Sequence, residues 1–227
     1  ATAQGATNPK DRFYKHEIDF EVDYKDFIIP NPFTDVKAVI LQNNSWMNAV
    51  TNLNPLFVNN NKLSFNYEDK NLFDAGSEFR FFDIRTLRFF SNNVRKKFID
   101  TLTNVVLNPD ELKGHLTYLR QIDYNGKRVV QNTDGRNVAE EGDYAIVHFF
   151  LKAGNEIKNR DVYIYGELSD WRIQEDFKMT FIPEKSGYYK SVKLKQSYYN
   201  YQFVTFDEET KKLEYDFTEG NHFQTEN

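Results

Sequence analysis

The chain contains no cysteine, and only 6 prolines and 10 glycines in 227 residues. Without cysteine there is no disulfide, no thiolate metal site and no cysteine nucleophile. This absence fits either the cytosol or an exported domain that folds without disulfides. No apolar run approaches the roughly 20 residues of a membrane helix, and the N-terminus shows no signal-peptide pattern. Basic excess is lacking too: the net charge of −5 argues against non-specific binding to nucleic acid. A serine nucleophile would sit in a G-x-S-x-G turn, which is missing. Gly114 and Gly126 are isolated, so there is no glycine-rich phosphate loop. His16, His115, His148 and His222 are far apart and none stands at metal-ligand spacing. His148 lies between Val147 and Phe149 on an alternating strand and reads as a surface or hydrogen-bonded histidine. Asp207-Glu208-Glu209 is too short for a calcium loop and reads as a solvated hairpin tip. The sequence therefore offers no catalytic residue, no cofactor-binding residue and no metal ligand, and it points away from an enzyme.

What is abundant is aromatic surface. Phe (21) and Tyr (14) bring the aromatic share to 16% in a chain whose mean hydropathy is −0.70. That pairing suits sheets, with an aromatic residue inside and a polar one outside. Period-two stretches recur. His16 to Val22 puts Ile18, Phe20 and Val22 on one face. Val36 to Leu41, Leu63 to Tyr67, Phe79 to Ile84, Tyr144 to Leu151 and Val162 to Tyr165 read as strands. Val94 to Ile99 reads as a strand rather than a helical turn. Asn-rich and Pro-bearing punctuation separates them at Pro30-Asn31-Pro32, Asn43-Asn44-Ser45, Asn59-Asn60-Asn61 and Asn108-Pro109-Asp110. Asn125-Gly126, between Tyr118–Ile122 and Arg128–Val130, is a hairpin signal.

These features predict an all-β chain of two tandem Ig-like or E-set antiparallel β-sandwich domains. Residues 1–10 form a flexible lead-in, 11–131 a first domain, 132–142 a polar linker and 143–227 a second domain. The linker expectation rests on Asn132 to Asp143, which carries no aromatic residue. It places a protease-sensitive hinge near Gly135. The lead-in and the open end at Gln224-Thr225-Glu226-Asn227 read as a piece of a longer protein.

Candidate contacts are aromatic and charged. Trp46 follows the Asn43-Asn44-Ser45 loop, and Trp171 follows the turn Gly166-Glu167-Leu168-Ser169-Asp170. Alternation does not assign these two, or Phe73 and Tyr199, to a core, so Trp46, Phe73, Trp171 and Tyr199 are the candidate interface. For Trp46 a domain-core or interdomain filler is the favoured reading over an exposed contact, and for Trp171 packing over its own turn, or a protein contact, is favoured over a ligand platform. Glu78, Arg80 and Asp83 form the densest charged set. On a strand Glu78 and Arg80 share the face opposite Asp83, which disfavours a carboxylate pair acting as acid and base. The set reads as ion pairs with Asp83 capping a turn, or as a charged contact.

Two resemblances add to this. The stretch Tyr163-Ile164-Tyr165-Gly166-Glu167-Leu168-Ser169-Asp170-Trp171, with Gly187-Tyr188-Tyr189 and Tyr199-Asn200-Tyr201-Gln202-Phe203-Val204, resembles the glycogen-binding type of E-set β-sandwich. That resemblance implies a carbohydrate-binding module, or an accessory domain of a glycan-processing enzyme, with Trp171 stacking on sugar. Gln202 stands where that family has Lys, and Asp207 to Tyr215 lacks its D-G turn and second Trp. The other resemblance runs from about Phe13 to the C-terminus. His16-Glu17-Ile18-Asp19-Phe20, Asn31-Pro32, Leu41-Gln42-Asn43-Asn44-Ser45-Trp46, the run from Gly76 to Arg88, and Leu194 to Gln202 are similar to the plug family of the type IX secretion system. It implies a non-enzymatic periplasmic protein, associated with the outer membrane, whose partner is the translocon barrel that it seals.

Overall fold

The computed structural model describes residues 1–114, 116–135 and 142–222. It is strand-rich, with several antiparallel sheets and little helix. Its described residues form two compact units, 1–77 with 221–222, and 78–220.

The first unit is built from eight short strands: β1 (Thr2–Gly5), β2 (Lys15–Asp19), β3 (Glu21–Asp23), β4 (Ala38–Gln42), β5 (Ser45–Leu53), β6 (Phe57–Asn59), β7 (Lys62–Ser64) and β8 (Leu72–Asp74). They form three small sheets, β1-β2-β8, β3-β7-β6 and the hairpin β4-β5. Both tight hairpins turn on asparagine pairs with left-handed backbones, Asn43-Asn44 (φ 51° and 60°) and Asn60-Asn61 (φ 48° and 62°). A two-residue turn matching the strand twist needs positive φ at both positions, which Asn tolerates better than other residues with a Cβ. The core is modest: Leu53, Leu63 and Phe65 are buried, with Phe20 stacked on Phe65 at 4.5 Å. The expected single strand from His16 to Val22 breaks at Phe20, and Val22 is exposed. Glu17 is buried instead, because its carboxylate accepts the Thr7 backbone N–H at 2.8 Å.

The second unit contains β9 (Arg80–Asp83), β10 (Val94–Ile99), β11 (Thr103–Leu107), β12 (Asp110–Glu111), β13 (Arg128–Val129), β14 (Tyr144–Lys152), β15 (Asp161–Tyr165), β16 (Thr180–Ile182), β17 (Gly187–Lys195), β18 (Tyr198–Asp207) and β19 (Lys212–Glu214). One sheet runs β10-β11-β14-β17-β16, with β12 also on β14. The other is organised on β18, which pairs with β9 and β13 along its first half and with β15 and β19 along its second. Side-chain alternation makes a sandwich-like core between the sheets. Val147, Phe149 and Leu151 of β14 meet Phe82 of β9, Ile164 of β15 and Tyr199, Tyr201 and Phe203 of β18. Phe82 touches Phe149, Tyr199 and Tyr201 at ring separations of 5.4, 5.1 and 5.6 Å. Such pairs contribute about 0.5–1.5 kcal/mol each beyond their buried area. The opposite faces of β15 and β18 are also covered: Tyr163, Tyr165, Val204 and Phe206 pack with Phe79 and Trp171 in a second cluster.

Three expectations are corrected here. Residues 1–10 are not a loose lead-in, since Thr2–Gly5 pairs with His16–Asp19 and Ala6 is buried. The sheets are not wholly antiparallel, since β11 and β12 both run parallel to β14. That same pairing moves the domain boundary. Thr103–Val106 hydrogen-bonds along Ala145–His148, so residues on both sides of the expected 132–142 linker share one sheet. The division falls at Ser77/Glu78. Residues 136–141, within the expected linker, lie outside the described residues. Its described part is tied down: Asn132 is buried, and the Thr133 N–H donates to Arg85 O at 2.9 Å. Asn125-Gly126 forms its turn, but β13 pairs with β18 rather than with 118–122.

Asp134 is the pin of this seam. Its carboxylate accepts Thr86 Oγ1 at 2.6 Å, the Leu87 N–H at 2.7 Å and Gln196 Nε2 at 3.0 Å. Burial alone would raise its pKa, but these bonds outweigh burial and hold it below its ordinary 3.8. A depressed acid stabilises the fold fully above its unfolded pKa and loses that contribution as pH falls through the folded one. Asp134→Asn is therefore expected to cost about 1–2 kcal/mol at neutral pH. The gap to the parent should close as pH drops below 3.8. Thermal melts of both proteins from pH 7 to pH 2.5 check this. A constant gap would show that the charge is not what matters.

Candidate interaction surface

Of the four aromatic candidates, the structure leaves one exposed. Trp46 is 68% exposed at the start of β5. Its exposure follows from an irregular hairpin. Ile40 pairs with Val50 and Gln42 with Ser45. Between these pairs β4 has Leu41 alone, whereas β5 has Trp46, Met47, Asn48 and Ala49. The surplus residues bulge out of the ladder, and bulges re-aim side chains in this way. Met47 beside it is also exposed.

The other three belong to cores. Phe73 is not on a loop: it lies on β8, opposite His16 of β2, and alternation turns it inward. Tyr199 lies on β18 with its ring stacked on Phe82 and its hydroxyl donating to Lys195 O at 2.7 Å. Burial pushes its pKa up to about 12. Trp171 is 8% exposed and meets Phe79 and Tyr165 edge-on at 6.0 and 5.6 Å. It cannot present a ring face to a sugar in this position. Gln202, at the other sugar-binding position, is buried as well.

The charged candidates are occupied internally. Arg80 is buried; its Nε bonds Glu219 at 2.8 Å, its Nη1 bonds Asp110 at 2.9 Å and its Nη2 donates to Glu111 O at 2.7 Å. Glu219 is fully buried and also accepts the Phe203 N–H at 2.8 Å and faces Lys113 Nζ at 3.4 Å. Tyr201 Oη donates to Asp110 at 2.6 Å. Burial raises the Asp110 pKa, with Arg80 and Tyr201 opposing it. Burial, and then the Asp110 charge, push the Tyr201 hydroxyl well above its usual range. Burial pulls on Arg80 in the other direction, but Glu219 and Asp110 hold it above its ordinary value. Glu78 is buried and accepts a hydrogen bond from Tyr118 Oη. Asp83 grips Arg85 through both carboxylate oxygens and accepts the Arg85 N–H at 3.0 Å. None of the three is a free charged contact.

Chemically, the network stabilises charge but supplies no nucleophile. A shallow recess of about 210 Å³ borders it, lined by Arg80, Asp110, Lys113 and Tyr201 among others. Both oxygens of Asp110 are already engaged there. Glu219 and Asp110 were missed from the sequence because they stand 139 and 30 residues from Arg80. A larger open recess of about 740 Å³ lies between the loop from Glu156 to Asp161 and the tip from Phe206 to Glu209. There the Thr210 and Glu209 backbone N–H groups hold Asp207 below its ordinary pKa. His148 has both ring nitrogens engaged, Nδ1 with Tyr189 Oη at 2.6 Å and Nε2 with Asn104 Oδ1 at 2.8 Å. Burial lowers its pKa. His115 lies outside the described residues. Among the described residues no three His, Asp or Glu side chains are placed to hold a metal ion. No described helix is long and apolar enough to cross a membrane.

No family model and no curated protein matches the chain. Among solved structures, a hypothetical protein from Parabacteroides merdae ATCC 43184 is similar, with a TM-score of 0.91 and 31% identity. The match covers 99% of this chain and 56% of that one, so this chain spans a little over half the length of its structural relative.

Proposed function

We propose that the chain is a non-enzymatic periplasmic binding module, a plug-like component at the periplasmic mouth of the type IX outer-membrane translocon barrel. The observation that carries a binding role is Trp46. In a chain that buries Trp171, Phe73 and Tyr199, it stands 68% exposed on a bulge with Met47 beside it. Tryptophan is among the side chains that most often anchor interfaces, because it buries a large area at small rotamer cost. The identity of the partner rests on the resemblance of the runs from His16 to Phe20, Leu41 to Trp46 and Gly76 to Arg88. The finer fold reading narrows to residues 78–220. We read them as an E-set-like sandwich, supported by their two facing sheets and the Tyr165–Trp171 turn. A carbohydrate-binding role loses its platform with the burial of Trp171.

Purified translocon should retain the chain, and Trp46→Ala should weaken that binding by about 2 kcal/mol, roughly thirty-fold. Folding stability should stay within about 0.5 kcal/mol of the parent, as for other exposed positions. Parental binding by Trp46→Ala would remove this side chain from the contact. Failure of the parent itself to bind would remove the plug reading.

A further inference from the structure

The chain as a whole is acidic, yet from Ile84 to Ile99 it carries Arg85, Arg88, Arg95, Lys96 and Lys97 and no acid. The fold gathers this run at one place. Residues 84–93 form the loop leading into β10, and β10 is the outermost strand of its sheet. Lys97 ties the two together, donating from Nζ to Thr86 O at 3.0 Å and to Phe89 O. The loop crest is apolar: Phe89 and Phe90 are 71% and 68% exposed. Ile99, at the end of β10, is 83% exposed, and Phe98 is 42% exposed. Cations sit beside these rings, Lys97 Nζ at 5.8 Å from Phe90 and Lys96 Nζ at 5.3 Å from Phe98. Arg85 is neutralised by Asp83, and Arg88 stands 4.0 Å from Asp134. Arg95 and Lys96 are exposed, with no ion pair among the described residues.

We propose that this loop and strand edge form a docking site for an anionic phospholipid surface. The charge is of the right sign on a chain of net charge −5, so the attraction is local rather than global. The apolar side chains are exposed on the loop and at the end of β10. They would enter the boundary between headgroups and acyl chains, while Arg95 and Lys96 meet the phosphates. The clustering of four large apolar side chains with cations distinguishes the edge from an ordinary solvated strand, where edge lysines serve to block pairing. This inference does not depend on the plug reading, because it uses none of the residues that support a translocon contact through Trp46.

The test is co-sedimentation of the chain with vesicles of phosphatidylcholine alone and of phosphatidylcholine mixed with phosphatidylglycerol. The parent should bind the mixed vesicles, weakly or not at all the neutral ones, and should release as salt rises. Arg95→Glu/Lys96→Glu should weaken binding at least about tenfold, and so should Phe89→Ser/Phe90→Ser, which removes the inserted groups and leaves every charge in place. All four side chains are exposed, so both variants should keep the parental circular dichroism and melting temperature. Absence of parental binding to the anionic vesicles overturns the proposal. So does binding that both variants retain. Loss with the charge variant alone, matched by equal competition from soluble polyglutamate, would also overturn it, since the edge would then read charge and not a bilayer.

Discussion

Glu219→Ala is expected to destabilise residues 78–220 by about 3–5 kcal/mol, the usual cost of removing one partner from a buried ion pair. The large figure comes from what remains. Arg80 stays charged and buried, with Asp110 as its remaining ion-pair partner among the described residues, beside a backbone carbonyl and the Phe203 ring. The Phe203 N–H also loses its acceptor, inside the unit. Glu219→Gln should cost clearly less, because the amide oxygen still accepts hydrogen bonds although it no longer balances Arg80. The pair should not be ranked as a net stabiliser against an apolar replacement, since burying both charges carries its own desolvation cost. An Arg80→Met/Glu219→Leu variant is therefore expected to recover much of the loss. Urea unfolding followed by Trp171 emission reports this unit, since the other tryptophan, Trp46, belongs to residues 1–77. A Trp46→Phe background isolates the signal. A loss below 1 kcal/mol for Glu219→Ala would mean that water reaches Arg80 and that the network is not sealed.

The same network shows where sequence reasoning ends. Alternation in Tyr144 to Leu151 is visible in the sequence, and β14 realises it with every second side chain buried. The asparagine pairs at 43–44 and 60–61 are visible as turns because left-handed backbone is a local property. Pairing partners are not local. Nothing in Thr103–Leu107 announces that it will lie parallel to Tyr144–Lys152, and that pairing is what displaces the domain boundary. Nor does Arg80 carry a sign of Glu219. Three of the four aromatic candidates are core residues for a related reason. A turn signal before Trp171 resembles the one before Trp46, yet one ring is covered by Phe79 and Tyr165 and the other lies beside a bulge. Exposure depends on what packs above a residue, which sequence period does not reveal. The basic run from Arg85 to Lys97 was visible as letters, but only the fold puts Lys97 under the crest that holds Phe89 and Phe90.

Trp171→Ala is expected to cost about 3–5 kcal/mol, as for large aromatic side chains removed from a core. The opposite outcome at Trp46 would then come from the same residue type in the same chain. Several features converge on Trp171. Its backbone and that of Asp170 are both left-handed, at φ 56° and 52°, a conformation that costs a residue with a Cβ roughly 1 kcal/mol or more unless its surroundings hold it. Its N–H donates to Gly166 O at 3.0 Å, and Tyr165 Oη donates to its carbonyl at 3.1 Å. The ring lies directly against Gly126, where an added Cβ would stand 2.2 Å from the indole and 2.6 Å from Phe79. Gly126 also has φ +74°, so a side chain there meets both a strained backbone and a filled space. Gly126→Ala should therefore be destabilising in the parent, by about 2–3 kcal/mol. In a Trp171→Ala background the clash with the indole should vanish, which also leaves Phe79 room to shift away from the new methyl. The two costs should then fall short of additivity by about 1 kcal/mol or more, as expected for residues in contact. Thermal melts of the parent, both single variants and the double variant measure this, with near-ultraviolet circular dichroism reporting the aromatic packing. Full additivity would show that the indole is not what excludes a side chain at Gly126, leaving the backbone angle and Phe79 as the cause. A loss below 1 kcal/mol for Trp171→Ala would show that the turn does not depend on the ring, and the burial argument against a sugar platform would fail with it.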